Sequence, residues 1–127
     1  AKPDKFKQIN DTFGHEVGDE ALRLLGATLA ASVGPEEAGI RYRGNETALV
    51  LPDLEKEAAT ERAQRVKTAL ERIDLSHLTE GKEVPMTFSV SVATYPEDAE
   101  TPEALIETAY ERLYRARDTG GNKILTS

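Results

Sequence analysis

The chain has 127 residues, a net charge of -7 and no cysteine. That length supports one domain with a single hydrophobic core. The charge excludes a nucleic-acid backbone as partner but not a nucleotide pocket, which needs only a few local cations. Without cysteine there are no disulfides and no thiolate metal sites. No apolar run is long enough to cross a bilayer, so no membrane segment is expected in this chain. A cytoplasmic setting is expected.

In chain order, Ala21, Leu22, Leu25 and Leu29 form a helical stripe after a start at Gly18-Asp19. Ile40-Arg41-Tyr42 and Ala48-Leu49-Val50-Leu51 read as two strands, with Gly44-Asn45 as a two-residue turn between them. Asp53 is placed to cap the next helix, whose stripe is Ala59, Ala63, Val66, Leu70 and Ile73. The polar segment from Asp74 to Glu83, with Gly81, reads as a loop. Met86 to Ala93 alternates strongly and is the clearest strand. Thr101-Pro102-Glu103 opens a helix with a capping hydroxyl, a proline in the first turn and an acid near the positive dipole end. That helix is expected to bury Leu105, Ile106, Ala109 and Leu113 and to stop at Gly120-Gly121, before a short strand Lys123-Ile124-Leu125. There are no internal repeats. The order suits an α+β sandwich with helices against a mostly antiparallel sheet, a single domain over residues 1–127.

Three ordered blocks carry a family resemblance. Phe6-Lys7-Gln8-Ile9-Asn10-Asp11-Thr12-Phe13-Gly14-His15-Glu16-Val17-Gly18-Asp19 is similar, position for position, to F-K-x-I-N-D-x-x-G-H-x-x-G-D. Arg41-Tyr42-Arg43-Gly44-Asn45-Glu46-Thr47 stands where the GGDEF family of diguanylate cyclases has Arg-Tyr-Gly-Gly-Asp-Glu-Phe. Ala109 to Lys123 is similar to A-D-x-A-L-Y-x-A-K-x-x-G-R-N. The chain therefore resembles a GGDEF domain with a degenerate signature.

The resemblance implies a ferredoxin-like, nucleotidyl-cyclase-like sandwich whose sheet centres on an apolar strand running into the first block. This chain opens at Ala1-Lys2-Pro3-Asp4, just past that strand's end, so the central strand is expected to precede Ala1 in a longer chain or to come from another chain. The family's metals are held by the first Asp of D-x-D, the following carbonyl and the third signature residue; here these are Lys2, Pro3 and Asn45. Magnesium favours hard anionic oxygens, and both carboxylates are gone, so no metal or other cofactor is expected. Glu46 keeps the acidic fourth position and is the catalytic candidate only if the domain is active with atypical ligands, in which case magnesium returns as cofactor. Asp4 and Glu46 also read as plain solvated acids.

The resemblance places Asn10 and Asp19 at the guanine edge, although Asp19 reads equally as a helix cap. Lys7 and Arg117 match positions near phosphates, whereas Gly121 stands where a further basic residue is usual. Arg43 replaces a glycine, where it crowds the ribose or binds phosphate. Thr47 reads as a plain strand residue and His15 as a packing residue. The inhibitory R-x-x-D window reads Gly34-Pro35-Glu36-Glu37 and lacks its arginine.

The leading expectation is a domain without cyclase activity, kept as a regulatory or protein-interaction module in cyclic di-GMP signalling and able to bind a guanine nucleotide weakly. Its partners would be a protein, an upstream sensor or receiver domain, or a second copy in a homodimer. An active cyclase joining two GTP into cyclic di-GMP, and a purely structural dimerisation domain, stand as alternatives.

Overall fold

The hydrophobic stripes and the strand alternation meet at β4, and the fold is built outward from it. In the computed structural model, which describes residues 1–127, the elements are β1 (Lys2–Pro3), α1 (Phe6–Phe13), α2 (His15–Ala31), β2 (Ala38–Arg43), β3 (Glu46–Val50), α3 (Lys56–Glu71), β4 (Phe88–Ser91), α4 (Pro102–Asp118) and β5 (Lys123–Leu125). Phe88 and Val90 point to one face of β4, where they pack with Leu25 and Leu29 of α2 and Val66 and Leu70 of α3. Phe88 and Leu70 are fully buried, so truncating either to alanine costs about 2–5 kcal/mol. Ser91 projects to the opposite face and donates its hydroxyl to the Ala109 carbonyl of α4 at 2.6 Å. A second cluster of Ile9, Val17, Ala21 and Leu75 pins α1 and the start of α2. No helix is long and apolar enough to cross a membrane.

The strands form two sheets, a mixed three-stranded one in the order β1-β4-β5 and the two-stranded β2–β3 hairpin. β1 runs antiparallel to β4, β4 parallel to β5, and β2 antiparallel to β3 with a register shift between Arg41 and Arg43. Ala1 links the two groups of strands. Its nitrogen donates to the Thr47 carbonyl at 2.7 Å, and the Thr47 N–H donates back to the Ala1 carbonyl at 2.9 Å. Residues 1–3 therefore lie between β3 and β4. The expectation that the chain opens past the central strand is corrected to this extent: Lys2–Pro3 is strand, paired with Phe88 and Ser89.

The elements differ from the sequence reading in several places. Helix α1 was not foreseen. Helix α2 begins at His15 with Gly14 as its N-cap, so Gly18-Asp19 lies inside the first turns and Asp19 caps nothing. Asp53 takes a left-handed conformation (φ 58°), and the extended N-cap of α3 is Glu55, which makes no side-chain cap. On α4 Leu113 is buried as expected, Leu105 and Ala109 are half-buried, Ile106 is exposed, and Ala116 is buried as well. The strand expected over residues 86–93 is shorter, at Phe88–Ser91, and the expected loop from Asp74 holds a single 3-10 turn at Ser76–Leu78.

The ends of α4 follow the sequence closely. The Thr101 hydroxyl accepts from the Ala104 N–H at 3.1 Å. At the other end Gly120 donates to the Arg117 carbonyl and Gly121 to that of Ala116, at 3.3 and 2.9 Å. Those two bonds close the helix in a Schellman motif, which the φ of 112° at Gly120 permits because glycine has no Cβ.

Candidate functional site

The β2–β3 turn, the first strand and the outer face of α4 converge on one cluster of cations, tyrosines and a buried acid. Arg41 Nε donates to the Gly44 carbonyl at 2.6 Å and closes the turn. Beside it, Asn45 is half-buried and its Oδ1 accepts a hydrogen bond from Lys2 Nζ at 2.9 Å. The ammonium of Lys2 also lies 5.6 Å from the centre of the Tyr114 ring.

Tyr110 and Tyr114 sit one turn apart on α4, the spacing that brings side chains together on a helix. Their ring centres are 4.5 Å apart. Arg43 stacks on Tyr110 at 4.6 Å and on Tyr42 at 5.2 Å, and Arg117 stacks on Tyr114 at 4.3 Å. Such cation–aromatic contacts fix guanidinium planes without using their N–H groups. Arg117 is further held by two bonds to the Asp118 carboxylate, at 3.1 and 3.0 Å.

Glu46 is buried under this layer. Tyr114 donates its hydroxyl to Glu46 Oε2 at 3.1 Å, and Arg43 Nε lies 3.8 Å from Oε1. The neighbouring Tyr110 hydroxyl, burial and the Glu46 carboxylate, in that order, push the Tyr114 phenol up to about 12. Asp4 is equally engaged. It accepts from the Thr87 hydroxyl (2.8 Å), the Ser89 hydroxyl (2.7 Å) and the Asn122 N–H (2.8 Å). A Cβ at Gly121 would stand 2.7 Å from this carboxylate, so the glycine leaves room for Asp4. The reading of Asp4 and Glu46 as solvated acids is corrected for both: one is caged by three donors and the other is buried.

The remaining sequence candidates are placed elsewhere. Asn10 packs its side chain against Gly18, where an added Cβ would lie 1.8 Å from Asn10 Oδ1. Asp19, next in sequence, is exposed on α2, and Lys7 is exposed on α1. His15 is exposed as the first residue of α2, not packed as expected. Thr47 is a strand residue, as expected, and it is buried. Between α2 and the turn is a small apolar slot of about 110 Å³, lined by Leu22, Leu25, Arg41 and Asn45 among others. It is too small for a whole nucleotide. A surface groove of about 740 Å³ lies between the start of α3 and the loop after β4 and contains none of these residues.

In the Gly34–Glu37 window, Glu37 makes a bidentate pair with Arg62 of α3, at 2.9 and 2.6 Å, and accepts from the Gly34 N–H at 2.7 Å. Those contacts hold its carboxyl down at about 2, the Arg62 bond being the larger cause. The sequence reading missed Tyr110, Tyr114 and this pair. The tyrosines announce themselves only by their spacing of four on a helix; the Glu37–Arg62 pair joins residues too distant for a local pattern.

The fold is a cyclase-like α+β sandwich with a hairpin turn presented beside a helix. The family description "Diguanylate cyclase, GGDEF domain" matches residues 2–123, and the chain belongs to this family. It is similar to the response regulator PleD of Caulobacter vibrioides, at 35% identity over 96% of this chain and 27% of that protein. It is also similar to diguanylate cyclase A of Treponema denticola, at 31% identity over 98% of this chain and 33% of that protein. The chain thus spans about a third or less of the length of these relatives. The crystal structure of the GGDEF domain of YfiN (TpbB) from Pseudomonas aeruginosa superposes with a TM-score of 0.88 at 29% identity, over 99% of this chain and 78% of that one.

A divalent ion of the kind associated with this family does not fit the donors present at the turn. The Asn45 oxygen is taken by an ammonium, which would repel a cation, and Glu46 faces Tyr114 and Arg43. No group of three acidic or imidazole side chains is arranged to hold a metal.

Proposed function

We propose that this is a degenerate GGDEF domain that does not make cyclic di-GMP and serves as a regulatory or protein-interaction module in cyclic di-GMP signalling, with weak binding of a guanine nucleotide. Joining two GTP molecules builds negative charge on an α-phosphate, which divalent cations normally neutralise. One observation carries the reading: the Lys2–Asn45 hydrogen bond stands at the positions where the family resemblance puts metal-binding carboxylates. The engagement of Glu46 with Tyr114 supports it, because Glu46 is the acid an atypical cyclase would need. Guanine contact is assigned to Asn10 and Asp19, with Lys7 and Arg117 toward the phosphates. The protein partner belongs to whatever sensor or receiver accompanies the domain.

The test is incubation with GTP and magnesium or manganese, followed by chromatography for cyclic di-GMP. No product is expected. Product that depends on Glu46 would replace this reading with that of an active cyclase. A domain that neither turns over nor binds GTP would be a structural dimerisation module.

A further inference from the structure

The cations around the turn are arranged to do something the lost carboxylates could not. Lys2 enters none of the chain's ion pairs, and only one of its three ammonium donors is taken, by the neutral Asn45 oxygen. Arg43 has its plane fixed against Tyr110 and Tyr42, its side chain is 58% exposed, and its nearest carboxylate is Glu46 at 3.8 Å from Nε, beyond hydrogen-bond reach. Lys2 lies over the same stacked tyrosine pair, through Tyr114. Arg117 borders the cluster through its contact with Tyr114, and Arg41 closes the turn beside Asn45. Against these four cations stand Glu46, which is buried, and Asp118, which pairs with Arg117. The local balance is positive in a chain whose net charge is -7.

We infer that Lys2 and Arg43 form a metal-independent clamp for a polyphosphate chain, the Lys2 ammonium acting as a resident cation where a bound metal would otherwise be needed. The inference rests on the reading that this domain binds nucleotide without cyclising it, and adds how the phosphate end is held. The ligand chemistry is a di- or triphosphate, whose oxygens accept from two free ammonium protons and from the guanidinium fork. The tyrosine pair holds the cations in place, so less side-chain entropy is lost on binding. Asn45 matters because it is neutral: it orients the ammonium without cancelling its charge.

The experiment is calorimetric titration of the full chain with inorganic tripolyphosphate, GTP and ATP, all in EDTA, repeated with magnesium. Tripolyphosphate should bind saturably in EDTA and weaken with added salt. Lys2→Gln and Arg43→Gln should each lose roughly tenfold in affinity, the fold-change expected for one charge-assisted hydrogen bond. Asn45→Asp, nearly the same shape, should lose as much by forming an ion pair with Lys2. Thermal melts confirm that each variant is folded; Arg43 is exposed, so that variant in particular keeps the fold.

Tighter binding of GTP than of tripolyphosphate would make a nucleotide the ligand, and the reverse order an inorganic chain; either supports the clamp. No tripolyphosphate binding in EDTA, binding that appears only with magnesium, or affinities unchanged in all three variants would overturn it. If the clamp fails while GTP still binds in an Asp19-dependent way and no product forms, the reading of the domain stands without it. Formation of cyclic di-GMP would overturn that reading whatever tripolyphosphate does.

Discussion

Lys2 and Asn45, 43 residues apart in sequence, are joined by a hydrogen bond of 2.9 Å from ammonium to amide oxygen. An ammonium has no lone pair to give a metal, and an amide gives one neutral oxygen. The two residues thus complement each other: the amide tolerates the lysine, and the lysine satisfies the half-buried amide.

The first prediction follows from reversing both. In a K2D/N45D double variant the ammonium is gone and two carboxylates face each other beside Glu46, and like charges at that distance favour binding of a hard divalent cation. Manganese should then bind, detected by electron paramagnetic resonance or calorimetry, whereas the parent and N45D alone should show no saturable binding. A double variant that folds but takes up no manganese would show that the rest of the turn has also lost the metal geometry.

Asp19 lies inside α2 and caps nothing, so it has no stabilising role to lose. Asp19→Ala should leave the melting temperature within the range of ordinary surface substitutions, about 0.5 kcal/mol. It should nevertheless abolish GTP binding in calorimetry. Unchanged affinity for GTP would remove the guanine role from this residue.

Gly18→Ala separates packing from binding in the same corner. Alanine in a helix interior is favoured over glycine by up to about 1 kcal/mol. Here the new Cβ would lie 1.8 Å from Asn10 Oδ1, the tip of a side chain, so Asn10 must swing away. Stability should change little while GTP affinity falls, read by a melt and a titration on the same sample. A large drop in melting temperature would mean that Asn10 cannot move.

Elements set by local chemistry match the sequence expectation. The hairpin around Gly44-Asn45, the Thr101 cap, the stop at Gly120-Gly121 and the stripes through Leu25, Leu29, Val66 and Leu70 are each specified within a few residues. Helix α1 escaped notice because Asn10, Asp11 and Thr12 prefer turns, and its N-cap, Lys5, is left-handed and offers no capping side chain. The site was half visible. The sequence shows Lys2 and Asn45 where the family resemblance implies carboxylates, but not that Asp4 is held by Thr87, Ser89 and Asn122, or that Glu46 lies under Tyr114. Those contacts join residues 68 to 118 positions apart, and only the packed sheet brings them together.

Acid should loosen the link between the α2–β2 connection and α3. The Glu37 carboxyl, held at about 2 against an ordinary value of 4.5, is depressed in the fold. A depressed acid contributes stability that is fully present above pH 4.5 and lost as the pH falls toward about 2. Asp98 is depressed in the same sense by Arg112 first, and also by Lys56. The melting temperature should therefore fall through this window, and the slope should be shallower in Glu37→Gln, which cannot titrate. Parallel slopes would show that Arg62 does not favour the ionised form.

The last prediction isolates the buried acid. Tyr114→Phe keeps the ring that Arg117 and Lys2 lie against but deletes the hydroxyl bonded to Glu46 Oε2. A buried carboxylate oxygen left without a partner costs about 1–3 kcal/mol, so the variant should melt lower despite losing one atom. The parent should also contain a tyrosine that titrates late, because the Tyr114 phenol is pushed from 10 up to about 12. A raised phenol stabilises the fold below pH 10, and that contribution disappears as the pH rises through about 12. Ultraviolet titration of phenolate absorbance should show one late step in the parent and none in Tyr114→Phe. If the variant melts like the parent and the late step persists, Glu46 is not held by Tyr114, and it would be free to turn toward the hairpin cations instead.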